Sequence, residues 1–435
     1  MIPVVNSPII KDIHITPIAT VDPPLLNSAG VHAPYALRTV LEIITHDGIT
    51  GISEIPGNRD IDLALAEARN ILIGEEVFNL NKIKQILTQK FGVESTLDRG
   101  LAPWDQRKLV HIFSAVEVAC MDIIGKVCEM PVVDLLGGKM REAVPFAAYL
   151  FYKYEGAGGE LGNSTDPTAT GWDAARQKSA LNPSEVVAQA IAMCKEFGFT
   201  SIKLKGGAFS PREETDAMLA LFQAFGPEVP LRFDPNAIWK LETAIQYGHE
   251  MEGVLEYFED PVRGQDNMAA LRKILKMPLA TNMCTTSFED IPGSIRLGSE
   301  DIILSDHHFW GGLRASMTLS GICDTFGRDL SMHSNSHLGI SMAAMVHLGA
   351  ALPRMPYALD THYPWQSEEI IMGGRFKFEQ GAVAVPQGPG LGIELDKKAL
   401  ERLHQNYLRC GLTKRDDEVE MRKLNPDWRF MAVRW

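Results

Sequence analysis

A chain of 435 residues is too long for one small domain, and with 45% hydrophobic and 22% charged residues it has ample material for a large buried core. Its net charge of −13 argues against a general binder of nucleic acid or anionic membranes, while leaving the local charge of any one site open. No apolar run approaches the roughly 18–20 residues a membrane span needs, and residues 1–21 lack the basic stretch and apolar core of a signal peptide.

The chain opens on strands. Residues 9–18 and 36–44 carry strand patterns, His46-Asp47-Gly48 makes a turn, and 51–55 returns as a third strand. Helices are expected near 61–72, 80–90 and 109–127, so residues 1–137 read as an α+β layer. After Gly137-Gly138 strand and helix alternate. A strand at 145–148 precedes residues 154–180, rich in Gly, Ser, Thr and Asp, which read equally as a long loop at the active-site face and as a disordered insertion. Pro183 behind Asn182 opens a helix. Val186, Val187, Ala190, Ile191 and Cys194 recur in it at helical spacing until Gly198 stops it. Strand 201–204, a helix from Ser210-Pro211 to near Gly226, and strand 231–233 follow. Strands at 256–258, 279–280, 302–305, 330–332 and 357–359 bring the count to eight. Eight strands with helices between them, over about 250 residues, is the size of a (β/α)8 barrel of the TIM type, placed here at 138–385. A short strand pair, 376–378 and 382–385, ends it. Residues 386–435 carry one more helix at 400–410 and a polar, aromatic tail. The six cysteines (Cys120, Cys128, Cys194, Cys284, Cys323, Cys410) form no C-x-x-C pair and read as reduced thiols, so the expected location is the cytoplasm.

Polar residues stand at the C-terminal ends of these strands, the catalytic face of any such barrel. Strand one ends at Tyr149. Strand two ends in Lys203-Leu204-Lys205, whose alternation turns both lysines inward. Asp234 with Asn236, then Glu259-Asp260, Asn282, Asp306, His333 and Asp360-Thr361-His362 end the others. Each alone has a plain structural reading. Asp260 before Pro261 suits a helix cap, Asn335 and Ser336 suit a cap for a helix near Leu338, and His307 and His308 should face opposite sides of a strand. The set points further. Asp234, Glu259 and Asn282 are hard oxygen donors on successive strands, a combination suited to Mg²⁺. No Cys/His cluster has zinc spacing. Lysines on one side and a His with an Asp on the other supply bases able to remove a proton α to a metal-bound carboxylate.

These motifs resemble the enolase superfamily and, within it, the glucarate dehydratase family. Residues 118–139 (VACMDIIGKVCEMPVVDLLGGK) are similar to the superfamily's entry into its barrel. Lys203-Leu204-Lys205, Asp234-Pro235-Asn236, Glu259-Asp260-Pro261, Thr281-Asn282-Met283, Asp306-His307-His308-Phe309-Trp310, His333-Ser334-Asn335, Asp360-Thr361-His362 and Pro389-Gly390-Leu391-Gly392 follow the family pattern in order and spacing. The resemblance implies a capping domain formed by residues 1–137 together with the returning segment 386–435. It implies elimination of water from a hexarate, D-glucarate or L-idarate, to a keto-deoxy-hexarate. Mg²⁺ on Asp234, Glu259 and Asn282 would hold the substrate carboxylate. Lys205 and His333, the latter held by Asp306, would abstract the proton from opposite faces, and Lys203 and Asn236 would stabilise the enediolate. Asn27, His32, Tyr149, Asn335, His362 and Arg415 would contact substrate, and a homo-oligomer is expected. One position departs: Pro103 stands where the family has a threonine, and proline offers neither a side-chain donor nor an N–H. The alternatives are a dehydratase for another acid sugar such as galactarate, and a catalytically silent relative.

Overall fold

The computed structural model describes residues 7–92 and 99–435. Three antiparallel strands, Ile10–Val21, Tyr35–Thr45 and Thr50–Pro56, form a sheet in that order. Helix Lys108–Cys128, apolar on most sides, packs on it. Gly51 permits that approach, since a Cβ there would stand 2.0 Å from the Ala119 carbonyl oxygen. Asn58 caps helix Arg59–Leu72 by accepting from the Ile61 N–H. Between the first two strands the chain makes a small hairpin, Leu26–Asn27 against Gly30–Val31.

The second layer is a curled parallel sheet of seven strands in chain order: Ala148–Phe151, Ile202–Lys205, Leu231–Asp234, Leu255–Glu259, Leu279–Thr281, Ile302–Ser305 and Asp329–Met332. Helices run between consecutive strands, as in an α/β barrel, and the sheet of the N-terminal region forms a separate cap. The expected eighth strand at 357–359 shrinks to one bridging residue. Leu359 N–H donates to Pro145 O (2.9 Å), its carbonyl accepts from Ala147 (2.8 Å), and Asp360 N–H reaches Met332 O (3.2 Å), which closes the barrel. A longer ladder is blocked because Pro353 and Pro356 lack N–H donors and because Arg232 takes the Ala358 carbonyl at 2.6 Å.

Other expectations shift. The first barrel strand lies at Ala148–Phe151 rather than 145–148, because Ala143–Pro145 pairs antiparallel with Ala382–Ala384. Residues 376–378 form no strand. Phe378 instead joins Phe146, Phe197 and Phe199 in a ring cluster with centroids 5.1–5.9 Å apart. Of the two readings of 154–180, the ordered loop holds. Bridges of Lys153 to Leu25 and Ala180 fasten its base, Trp172 Nε1 donates to Pro364 O (2.7 Å), and Arg176 Nη1 to Trp365 O (3.1 Å). The tail contains a helix not expected from its polar sequence, Asp417–Leu424, capped by Asp416. Among the described residues no helix is long and apolar enough to cross a membrane.

Candidate active site

The strand ends converge as alternation requires. Lys203 and Lys205 both point inward, and both are buried. Lys203 Nζ lies 2.5 Å from Asp360 Oδ2 and 2.5 Å from Glu259 Oε2, with the Tyr149 ring 4.8 Å away. Beside this ion pair Glu259 Oε2 has no hydrogen-bond partner among the described residues. Lys205 Nζ lies 2.5 Å from Asp234 Oδ2. Burial works against the charge on Lys203, but the carboxylates of Asp360 and Glu259 outweigh it and hold its pKa well above the ordinary lysine range. Lys203 thus stands among acceptors as a hydrogen-bond donor.

Asn236 Nδ2 donates to both oxygens of Asp234 (3.1 and 3.2 Å), and its own N–H caps Oδ1 at 2.8 Å. Asn236 and Ala237, each at φ 58°, and Asp260, at φ 38°, occupy the left-handed region that non-glycine residues avoid. Such strain clusters where surroundings impose it, commonly at functional sites. Asp260 is not the helix cap its position before Pro261 suggested. Its oxygens accept from the Thr281 hydroxyl and from the Asn282 N–H (2.8 Å), which braces the ligand-bearing strand ends against each other.

Oxygens of Asp234, Glu259 and Asp260 lie within 4.8 Å of one another. Both aspartates carry hydrogen bonds, Asp260 from Thr281 and Asn282 and Asp234 from Lys205 and Asn236; the family resemblance implies Asp234, Glu259 and Asn282 as the set that would hold a cation. The Asn282 amide nitrogen donates to Glu259 Oε1 (2.8 Å), which leaves its carbonyl oxygen available. Burial pushes Glu259 well above the usual carboxylate range, and Asp234 and Asp360 beside it add to the push even against Lys203. A buried acid crowded in this way is one a hard dication would ionise. The donor set fits Mg²⁺ and the acidic groups could bind a metal.

Across the barrel, Asp306 divides its oxygens. Oδ1 faces His308 Nδ1 (2.7 Å) and accepts from the His308 N–H (2.8 Å). Oδ2 faces His333 Nδ1 (3.3 Å) and accepts from Asn335 Nδ2 (3.1 Å). Burial lowers the pKa of His333, with Asp306 opposing the shift. Burial likewise disfavours charge on Asp306, but His308 and His333 hold it ionised, well below its ordinary value. His307 and His308 do not face opposite ways; they leave the strand in a turn, with ring centroids 3.8 Å apart. Asn335 and Ser336 are not caps either. The helix Gly339–Ala351 has no side-chain cap, and Asn335 is spent on Asp306 and Arg38.

Asn27, His32 and Arg415 meet although far apart in sequence. Arg415 Nη2 lies 2.8 Å from His32 Nε2, and His32 Nδ1 lies 2.9 Å from Asp22. Asp417, which the sequence reading missed, binds all but the histidine: it accepts from Arg415 Nε (2.8 Å) and Nη2 (2.6 Å) and from Asn27 Nδ2 (2.7 Å). The Nε–Nη2 edge of the Arg415 fork is thus engaged within the chain. Its face stacks on Trp104 at 4.5 Å. Pro103, just before that tryptophan, gives its carbonyl to Arg99 (2.5 Å). His32, Trp104, Phe309, Asn335 and Arg415 line one cavity of about 500 Å³, and Phe309 stacks on the His333 ring at 5.3 Å. Tyr149 and His362 pack edge to face at 4.7 Å, and His362 Nδ1 lies 3.3 Å from the Ser334 hydroxyl.

Known proteins resemble the chain along nearly its whole length. Residues 15–137 match the mandelate racemase / muconate lactonizing enzyme N-terminal domain, and residues 185–399 match the enolase C-terminal domain-like family. A probable glucarate dehydratase of Streptomyces coelicolor is 44% identical, over 98% of this chain and 99% of its own length. The crystal structure of an enolase from Mycobacterium smegmatis complexed with tartrate superposes with a TM-score of 0.90 at 47% identity, covering 99% of both chains. One from Pseudomonas fluorescens Pf0-1 with bound magnesium, potassium and tartrate gives 0.91 at 42%, covering 99% of this chain and 100% of that one. The chain belongs to the enolase superfamily and, within it, to the glucarate dehydratase family. It is an enzyme of the hydro-lyase class, a dehydratase of acid sugars.

Proposed function

We propose that the substrate is a hexarate, D-glucarate and its epimer L-idarate, and that the product is a keto-deoxy-hexarate. The observation that carries this reading is the pair of bases. Lys205 and the His333–Asp306 couple come from strands two and seven, on either side of the carboxylate-bearing strands. Asp234, Glu259 and Asn282 would hold Mg²⁺, which when bound supplies Lewis-acid stabilisation of charge on the substrate carboxylate. Lys205 Nζ takes the α-proton of L-idarate. His333 Nε2, freed for the task because Nδ1 faces Asp306, takes that of D-glucarate from the other face. Breaking the C–H bond leaves the electron pair on the carboxylate as an enediolate, and Lys203 and Asn236 donate to it. The pair then expels the β-hydroxyl, which leaves as water with a proton from His333, the one just taken from D-glucarate or, for L-idarate, one that His333 carries at Nε2 as imidazolium from the start, and the resulting enol rearranges to the ketone. Asn27, His32, Tyr149, His362 and Arg415 orient the remainder of the sugar acid, while Asn335, expected among them, is committed to Arg38 and Asp306.

A panel of acid sugars with purified protein and Mg²⁺, read by the new keto group, tests this. Turnover of both D-glucarate and L-idarate supports it; inactivity on both sinks it. The second reading, a different acid sugar such as galactarate, draws on Pro103, which puts no hydroxyl at the mouth beside Trp104 and Arg415. Exclusive turnover of such a sugar would establish it.

A further inference from the structure

The base on the seventh strand is tied to the cap through one buried arginine. Arg38 stands on strand Tyr35–Thr45 and is 2% exposed. Its Nε donates to Glu54 Oε1 (2.8 Å), its Nη2 to the Ser341 hydroxyl (3.0 Å) and its Nη1 to Asn335 Oδ1 (2.8 Å). An amide that accepts at Oδ1 turns its NH₂ the other way, and Asn335 Nδ2 donates to Asp306 Oδ2, the oxygen that faces His333. The other half of Asp306 returns to the same place: His308, on Oδ1, sets its Nε2 within 3.0 Å of Ser341 Oγ and 3.1 Å of Glu54 O. Both oxygens of the carboxylate that orients His333 are therefore braced by groups that Arg38 holds. Arg38 makes no contact with the Lys205 side among the described residues; there Lys205 pairs with Asp234, which Asn236 holds and Ser28 of the cap hairpin reaches through Asn236 Oδ1 (3.4 Å).

We propose that Arg38 is a positioning residue for one of the two bases. By fixing the Asn335 amide it fixes how Asp306 points, and with it the His333 tautomer that leaves Nε2 as the proton acceptor. The connection that Arg38 makes from the cap sheet thus arms the His333 face and does not run to the Lys205 face. This rests on the two-epimer reading given under the proposed function.

The main variant is Arg38→Lys, which keeps a cation beside Glu54 but cannot reach Asn335 and Ser341 together. With Mg²⁺ in D₂O, D-glucarate turnover should fall about 10–100-fold with KM within about twofold, the loss typical of removing an outer hydrogen-bond partner. Exchange of the L-idarate α-proton should stay within about twofold of wild type. Adding Asn335→Ala should cost no more than either change alone, because both cut one connection. The double variant Arg38→Met/Glu54→Gln removes the buried pair together, avoids a lone buried carboxylate, and should repeat the face-selective pattern. Equal losses on both epimers, no loss, or additive losses would overturn the proposal. A substrate-independent measurement separates it from the substrate reading. In ¹⁵N spectra of histidine-labelled protein, the His333 Nδ1–H tautomer should dominate in wild type and lose that dominance in both Arg38 variants. Inactivity of wild type on both epimers refutes only the substrate assignment; an unchanged tautomer refutes the role of Arg38.

Discussion

Asp306→Asn is a change of one atom whose effect can be worked out from four contacts. The asparagine has one acceptor where the aspartate has two. The side chain keeps its oxygen toward His308, which presents both an imidazole nitrogen (2.7 Å) and a backbone N–H (2.8 Å) to Oδ1. The new NH₂ then faces His333 Nδ1 and the NH₂ of Asn335, where Oδ2 had accepted. A donor opposite Nδ1 favours the tautomer protonated at Nε2, the nitrogen that must take the proton. Loss of general-base catalysis of this kind lowers rates roughly 10²–10⁴-fold, about 3–5 kcal/mol at the barrier. The assay is α-proton exchange in D₂O on both epimers. D-glucarate should lose exchange to that extent, while L-idarate, deprotonated by Lys205, should keep it and lose only dehydration. The acid limb gives a second check. Asp306 raises the His333 pKa against the burial that lowers it. Without the carboxylate the pKa falls further, and the acid limb of residual D-glucarate turnover moves to lower pH. Near wild-type exchange from D-glucarate, or an acid limb displaced upward, would refute the assignment of His333 and Asp306.

Much of this site was legible in the chain because barrel geometry converts sequence order into spatial order. Each strand end contributes one polar side chain to the same mouth, so Lys203, Lys205, Asp234, Glu259, Asn282, Asp306 and His333 could be placed together from strand boundaries alone. Residues whose role is set by a partner elsewhere were not legible. Arg38 is one alternating position in a strand, with nothing local to distinguish it from a solvated arginine. Asp417 two residues after Arg415 reads as an ordinary charged pair in a polar tail, and only the fold brings Asn27 across to share it. Asp260 looked like a cap because Asp before Pro commonly is one. The fold overrides that by turning its backbone to a positive φ and aiming the carboxylate at the next strand. The eighth strand was overcounted for a similar reason: apolar pattern signals burial, but a ladder also needs free N–H and C=O groups, and at 353–358 prolines and Arg232 remove them.

Exhaustive chelation should abolish turnover, and Glu259→Gln should lower it by orders of magnitude and raise the Mg²⁺ needed for half-maximal rate; full activity in EDTA would count against a metal enzyme. Gly390→Ala should destabilise the fold by about 1–3 kcal/mol in urea, because its Cβ would stand 2.1 Å from Asp122 Oδ1, the oxygen that accepts from Leu391 N–H, at a φ of 70°. Asp417→Asn tests the anchor. Burial disfavours the charge on Asp417, but Arg415 and His32 outweigh it and hold its pKa below the ordinary 3.8. A depressed carboxylate pKa contributes stability that is present above the unfolded value and lost as pH falls through the folded one. The variant should therefore be less stable than wild type at pH 7, by about 1–3 kcal/mol since Arg415 is partly exposed. The gap should narrow as pH drops below about 4, where Asp417 of the unfolded chain takes up its proton while the folded carboxylate, with its depressed pKa, still holds its charge. Kinetically, the amide neutralises one end of the Arg415 pairing and loosens Asn27, so KM should rise more than kcat falls. A stability gap that stays constant from pH 7 to pH 3, or a kcat loss with KM unchanged, would show that the Asp417 carboxylate neither stabilises the tail through its charge nor positions the residues that hold the far end of the sugar acid.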